Sequence, residues 1–164
     1  MLQKKVCVLG SFGVGKTSLV RRYVESIFSD AYLTTVGVKI DKKTLTVGAE
    51  TVTIILWDIA GEDEITPIRT SYLRGAAGYF LVVDGTRAET LEVARSIHTR
   101  VALEIGPIPF VLLLNKADMQ ESWDISDQPA SALENGAAAI LRTSAKTGEG
   151  VEEAFQKLAQ RIVP

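Results

Sequence analysis

An apolar strand that runs straight into a glycine-rich turn and then into a helix is the feature that most limits what this chain can become. Lys5-Val6-Cys7-Val8-Leu9 is a short apolar run behind a lysine pair, the composition of a buried parallel strand. Gly10-Ser11-Phe12-Gly13-Val14-Gly15-Lys16-Thr17 follows it, and Thr17 to Val24 then carries apolar residues at helical spacing. Gly10, Gly13 and Gly15 allow a tight turn and let the backbone approach an anion with no Cβ in the way. Successive N–H groups from Ser11 to Ser18 would point inward as an anion nest. A helix starting near Gly15 adds unsatisfied N–H groups and a partial positive charge. The segment is therefore read as a cradle for a triphosphate. Lys16 would reach the β- and γ-phosphates, and Thr17 would place its hydroxyl on Mg²⁺, a hard cation that prefers oxygen ligands.

Further along, strand-like and helix-like segments alternate. Val38 to Val47 alternates polar and apolar residues, Gly48-Ala49-Glu50 marks a turn, and Thr51 to Trp57 completes a hairpin. Tyr79 to Val83, Phe110 to Leu114 and the shorter Ala138 to Leu141 suit buried parallel strands. Helices are expected at about Ala88 to Glu104, Ser126 to Glu134 and Val151 to Ile162, the last with an apolar stripe at Val151, Ala154, Phe155, Leu158, Ala159 and Ile162. This pattern predicts a single α/β domain over residues 1–164. It would hold a mostly parallel six-stranded sheet with one antiparallel edge strand and helices on both faces. Ligands of such sheets sit at the carboxyl ends of the strands, where every motif of this chain falls.

Asp58-Ile59-Ala60-Gly61 ends the strand that starts at Thr51. A carboxylate there would hold Mg²⁺ through a water, and the Gly61 N–H would meet a γ-phosphate. Asn115-Lys116-Ala117-Asp118 follows an apolar strand and reads as a base-recognition turn. Asp118 can accept hydrogen bonds from both N1–H and the exocyclic amine of guanine, a donor pair that adenine lacks. A buried carboxylate left without those donors is costly, so the site would reject adenine.

On these motifs, together with Thr35-Val36-Gly37-Val38, Trp57-Asp58-Ile59-Ala60-Gly61, Tyr72-Leu73-Arg74-Gly75 and Ser144-Ala145-Lys146, the chain resembles a Ras-superfamily small GTPase over its whole length. The motif wording is closest to the Rab group. The resemblance implies the P-loop NTPase G-domain fold, GTP and GDP as substrate and product, and Mg²⁺ as cofactor. Thr35 would be the switch threonine that contacts Mg²⁺ and the γ-phosphate. Phe28 would meet the guanine edge-on, and Tyr32 would close over the phosphates. Asn115 would tie loops together, the stem of Lys116 would lie along the base, and the Ala145 N–H would meet the guanine oxygen, with Ser144 and Lys146 beside it. Ile40, Trp57 and Tyr72 match an aromatic–apolar triad through which Rab-like proteins meet effectors, or else pack the switch region internally. Exchange factors and activating proteins would use the same switch surface. Hydrolysis is expected to be slow without help, with a barrier of about 22 kcal/mol.

The chain departs from that family pattern in three places. Glu62, followed by Asp63 and Glu64, stands where a glutamine usually orients the attacking water. A carboxylate accepts from water but cannot donate as an amide does, so the hydrolytic geometry would differ. Phe12 stands where many relatives carry a small residue, at the approach to the γ-phosphate. The chain stops at Pro164 without a C-terminal cysteine to prenylate, which predicts no lipid anchor and fits a minimal prokaryotic relative or a module of a larger protein.

With 23% charged residues and a net charge of −2, nothing favours nucleic acid or an anionic membrane as partner. The single Cys7 excludes a disulfide framework within the chain and is read as a buried structural thiol. No apolar run approaches membrane-spanning length. A cytoplasmic monomer is expected. His98 is read as a surface residue of its helix. The reading is a guanine-nucleotide switch with slow hydrolysis, in which Lys16, Thr35, Gly61 and Glu62 carry catalysis and Thr17, Thr35 and Asp58 hold the metal. A nucleotide-binding scaffold with little turnover is the alternative. An ATP-dependent kinase on the same phosphate loop is disfavoured by Asn115 and Asp118.

Overall fold

The computed structural model describes residues 2–25, 37–59, 69–125 and 136–164. Six strands form one sheet: β1 (Leu2–Gly10), β2 (Val38–Val47), β3 (Glu50–Ile59), β4 (Ala76–Asp84), β5 (Phe110–Asn115) and β6 (Ala137–Arg142). Helix α1 (Lys16–Glu25) follows β1, the short α2 (Thr70–Leu73) precedes β4, α3 (Glu89–Ile105) follows β4, and α4 (Val151–Ile162) follows β6. The strand order is β2-β3-β1-β4-β5-β6. Only the β2–β3 hairpin is antiparallel; β1 pairs parallel with β3 and β4, and β4–β5–β6 continue parallel. The expected mostly parallel sheet with one antiparallel edge strand is present. The helix expected over Ser126 to Glu134 lies outside the described residues.

Each central strand feeds two cores, because successive side chains of a strand point to opposite faces. On β1, Val6 and Val8 enter one core while Cys7 and Leu9 enter the other. Phe80 and Val82 of β4 join the first, and Tyr79, Leu81 and Val83 join the second. The first core is closed by α1 and α4 through Leu19, Val20, Tyr23, Phe155 and Leu158, the second by α3 through Leu91, Ala94, Ile97 and Val101. Helices thus cover both faces. Tyr23 and Phe155 stack with ring centroids 3.4 Å apart, and Phe80 tilts against Phe155 at 4.5 Å, so α1, α4 and the sheet meet at one aromatic contact.

Most strand boundaries extend beyond the apolar runs. β1 starts at Leu2, where the ladder with β3 begins at Leu2↔Val52, and includes Lys4 and Lys5. Lys5 is accommodated in the strand by setting its ammonium over Trp57, with Nζ 3.7 Å from the ring centroid, and donating to the Arg74 carbonyl at 2.7 Å. Cys7 is buried, and desolvation pushes its thiol up to about 11.

His98 is not the surface residue expected from the sequence. It is half-buried, its Nδ1 lies 2.8 Å from the Tyr79 hydroxyl, and its ring tilts against Phe110 at 4.7 Å. Burial lowers its pKa. The pair borders a cavity of about 380 Å³ at the amino end of β5, roofed by Gly106 to Pro109 and Arg161.

Candidate functional site

The carboxyl ends of β1, β3, β4 and β5 gather on one rim, with β1 between β3 and β4. The chain leaves β1 to return on either side of it, which opens a crevice where ligands of such sheets bind. The glycine-rich turn fills that crevice. Gly13 has φ +75° and Gly15 φ +102°, a region that L side chains rarely adopt. At Gly15 a Cβ would collide with the Asn115 side-chain amide. Helix α1 opens directly behind it, with Leu19 N–H donating to the Gly15 carbonyl at 2.9 Å.

Three successive carbonyls of the turn are held from outside. Phe12 O accepts from Arg87 Nη2 at 2.9 Å, Gly13 O from Lys116 Nζ at 3.1 Å, and Val14 O from Asn115 Nδ2 at 2.9 Å. In a trans peptide the next N–H points the opposite way. The N–H groups of Gly13, Val14 and Gly15 are thereby turned together, as a nest requires. Lys16 is buried, and its Nζ donates to Gly10 O at 3.2 Å and Ser11 O at 3.1 Å. Desolvation lowers its pKa to about 8, against the opposing pull of Asp58.

Thr17 and Asp58 converge from α1 and β3, the Thr17 hydroxyl donating to Asp58 Oδ2 at 2.6 Å. Asp58 lies inside β3, which runs on to Ile59, and is fully buried. A carboxylate and a hydroxyl side by side next to a buried ammonium form a hard-oxygen donor set that suits Mg²⁺.

The residues expected to read a base sit on the neighbouring turn. Lys116 has φ +69°, the one non-glycine with positive φ among the described residues, a conformation uncommon off glycine. Asn115 is buried and accepts from the Thr143 hydroxyl at 3.1 Å. Asp118 Oδ1 accepts from the Ser144 hydroxyl at 2.7 Å, and Ser144 Oγ in turn accepts from Thr147 N–H at 3.1 Å. Arg22 of α1 donates to the carbonyls of Lys146 and Thr147 at 3.4 and 3.2 Å. A cavity of about 380 Å³ opens among Gly15, Ser18, Asn115, Lys116, Asp118, Ala145 and Lys146, with Met119 joining them.

The sequence-predicted residues from Ser11 to Ser18, Asp58, Asn115, Lys116, Asp118 and Ser144 to Lys146 are thus brought to one rim. Phe28, Tyr32, Thr35, Gly61 and Glu62 lie outside the described residues. Phe12 is half exposed at 51%. Ile40 faces Trp57 across the β2–β3 ladder, and Trp57 tilts against Tyr72 with centroids 6.5 Å apart, so that triad is contiguous. Ile40 remains 49% exposed.

Sequence reading missed Asp84 and Arg87. Asp84, at the end of β4, is 1% exposed. Its Oδ1 accepts from Thr86 N–H and Oγ1, and its Oδ2 from Arg87 Nε at 3.0 Å and Lys116 Nζ at 2.9 Å. Burial pushes its carboxyl upward, and the bonds from Thr86, Lys116 and Arg87 outweigh it, holding the group below its ordinary value. An acid closing an apolar strand on the ligand rim was the available signal. Thr143, which fixes the Asn115 amide, carried none.

The Ras family sequence model matches residues 5–164. The human "Ras-related protein Rab-32" is 38% identical over 169 aligned positions, covering 97% of this chain and 74% of that protein. The human "Ras-related protein Rab-4B" is 36% identical, covering 97% of this chain and 76% of its own length. From Dictyostelium discoideum, "Ras-related protein Rab-7a" is 35% identical, with 97% and 82% covered. With the sheet order and the rim described above, these matches establish that the chain belongs to the Ras family, as a small GTPase of the Rab-like kind.

Proposed function

We propose that the chain binds GTP and GDP with Mg²⁺, hydrolyses GTP slowly, and changes its partner surface with the nucleotide it holds. The observation that carries this reading is the joining of two turns. Asn115 and Lys116 hold the carbonyls of Val14 and Gly13, while Asp118, two residues on, is held by Ser144 beside the cavity. A base reader and a phosphate cradle are built as one unit.

Asp118 accepts the two donors of the guanine edge, and the Ala145 N–H meets its oxygen. The N–H groups of Gly13, Val14 and Gly15 and the first turn of α1 receive the phosphates. The Lys16 ammonium exchanges the carbonyls of Gly10 and Ser11 for phosphate oxygens, which favours its protonated form. Thr17 and Asp58 would hold Mg²⁺, which when bound neutralises charge between the β- and γ-phosphates. Thr35 and Gly61 would meet the γ-phosphate in the GTP state and release it after hydrolysis. Glu62 would orient or polarise the attacking water in place of a glutamine amide. Ile40, Trp57 and Tyr72 would form the surface that effectors read.

The experiment is to denature the purified protein and identify the released nucleotide by chromatography. GDP is the expected result, and its amount then allows single-turnover hydrolysis to be compared between the chain and Glu62→Ala. Retained GTP at stoichiometry would remove intrinsic hydrolysis from the reading, an unchanged Glu62→Ala rate would remove the role of Glu62, and adenine nucleotide would remove the guanine assignment.

A further inference from the structure

Of the three cations and amides that hold the cradle's carbonyls, Asn115 and Lys116 belong to the base-reading turn. Arg87 belongs to neither motif. It lies in the turn between β4 and α3, and its guanidinium is forked: Nε donates to Asp84 Oδ2 at 3.0 Å, and Nη2 donates to the Phe12 carbonyl at 2.9 Å. The same Asp84 oxygen takes Lys116 Nζ at 2.9 Å, and that ammonium donates to the next carbonyl, Gly13 O. One buried carboxylate therefore anchors two cations that grip two consecutive peptides of the phosphate loop.

We infer that Asp84 and Arg87 are positioning residues for phosphate binding. Arg87 turns the Phe12–Gly13 peptide so that the Gly13 N–H faces the phosphates, and Asp84 locks Arg87 and Lys116 in register. This rests on the guanine-nucleotide reading above and adds to it a device from outside the nucleotide motifs. The planar fork matters, because a guanidinium donates along two fixed directions at once. It spans from a buried acid to a loop carbonyl without crossing the cradle. Arg87 lies outside the base-reading turn, so its removal leaves guanine selectivity unchanged. Their contribution is a preset loop that need not be ordered when phosphate arrives.

The test is the affinity of Arg87→Ala for GDP and for GMP, which lacks the β-phosphate, measured by competition on nucleotide-free protein beside its thermal midpoint. The Arg87 side chain is 39% exposed, so its removal leaves the core intact. Loss of one charge-assisted bond predicts about tenfold weaker GDP binding, with faster GDP release, less than about twofold change for GMP, and an unchanged preference for GTP over ATP. Asp84→Asn, which frees both cations, is expected to weaken GDP more than Arg87→Ala does, and adding Arg87→Ala to it should cost little further. Equal losses for GDP and GMP, or no loss, would overturn the inference while leaving the nucleotide reading standing. If the unaltered chain binds no GDP, both fall.

Discussion

Lys16 carries its ammonium where burial works against the charge, and this has a measurable sign. Its pKa is lowered to about 8 in the ligand-free chain, against an ordinary 10.5. Between those values the unfolded chain binds more protons than the folded one, so this group's contribution makes the ligand-free fold more stable as pH rises through that window. Phosphates reverse the balance by favouring the ammonium. Nucleotide binding near pH 9 is therefore expected to take up a proton, approaching about one per nucleotide, and to take up almost none near pH 7. Calorimetry in buffers of different ionisation enthalpy reads the count, and an equal count at both pH values would contradict it. Asp118→Ala removes the acceptor pair proposed for the guanine edge. The preference for GTP over ATP should fall by at least about 100-fold in competition binding, with little change in fold stability; a preserved preference would assign base reading elsewhere. Residues such as Asp118 were legible because their motif is local. Arg87 was not, since its partner carbonyl at Phe12 lies 75 positions away and only the fold brings the two together.

Among the elements, the contact of α1, α4 and β4 carries a disproportionate share of the packing. Phe155 stacks on Tyr23 and meets Phe80, and it is only 5% exposed. Phe155→Ala is expected to destabilise the fold by about 3–5 kcal/mol, read as a lower midpoint in urea at an unchanged slope. A loss below about 1 kcal/mol would mean that the neighbours collapse into the space. Strands and long helices were readable because they are fed by unbroken or periodic apolar residues; β2 and α4 match their expected limits at both ends. The four-residue α2 and the 3₁₀ turn at Gln120–Ser122 were not, because so short a span holds no full period. His98 was misread as well. Helical spacing sets it between Leu91, Ala94 and Val101 on the buried face, and the hydroxyl of Tyr79, from a strand 19 residues earlier, reaches across to it.

Across the whole molecule, the glycine-rich turn hangs from the carboxyl end of β1. That strand is flanked by parallel neighbours on both sides, with ladders from Leu2↔Val52 to Val8↔Asp58 and from Lys5↔Ala76 to Gly10↔Val82. A load drawn from the amino end of β1 against an anchor at the opposite rim, such as a handle at the exposed Glu149, would run along the strand and strain both ladders together. Forced rupture is governed by the unfolding barrier, and the phosphate turn is the direct continuation of the strand under tension. GDP should raise the rupture force in a single-molecule pulling experiment, and the nucleotide should leave in the same event that breaks β1 free. An unchanged force would mean that the turn yields before the strand does. The arrangement that turns a loop toward phosphate would also make the bound nucleotide a mechanical fastener, so that emptying the site softens the protein along one axis.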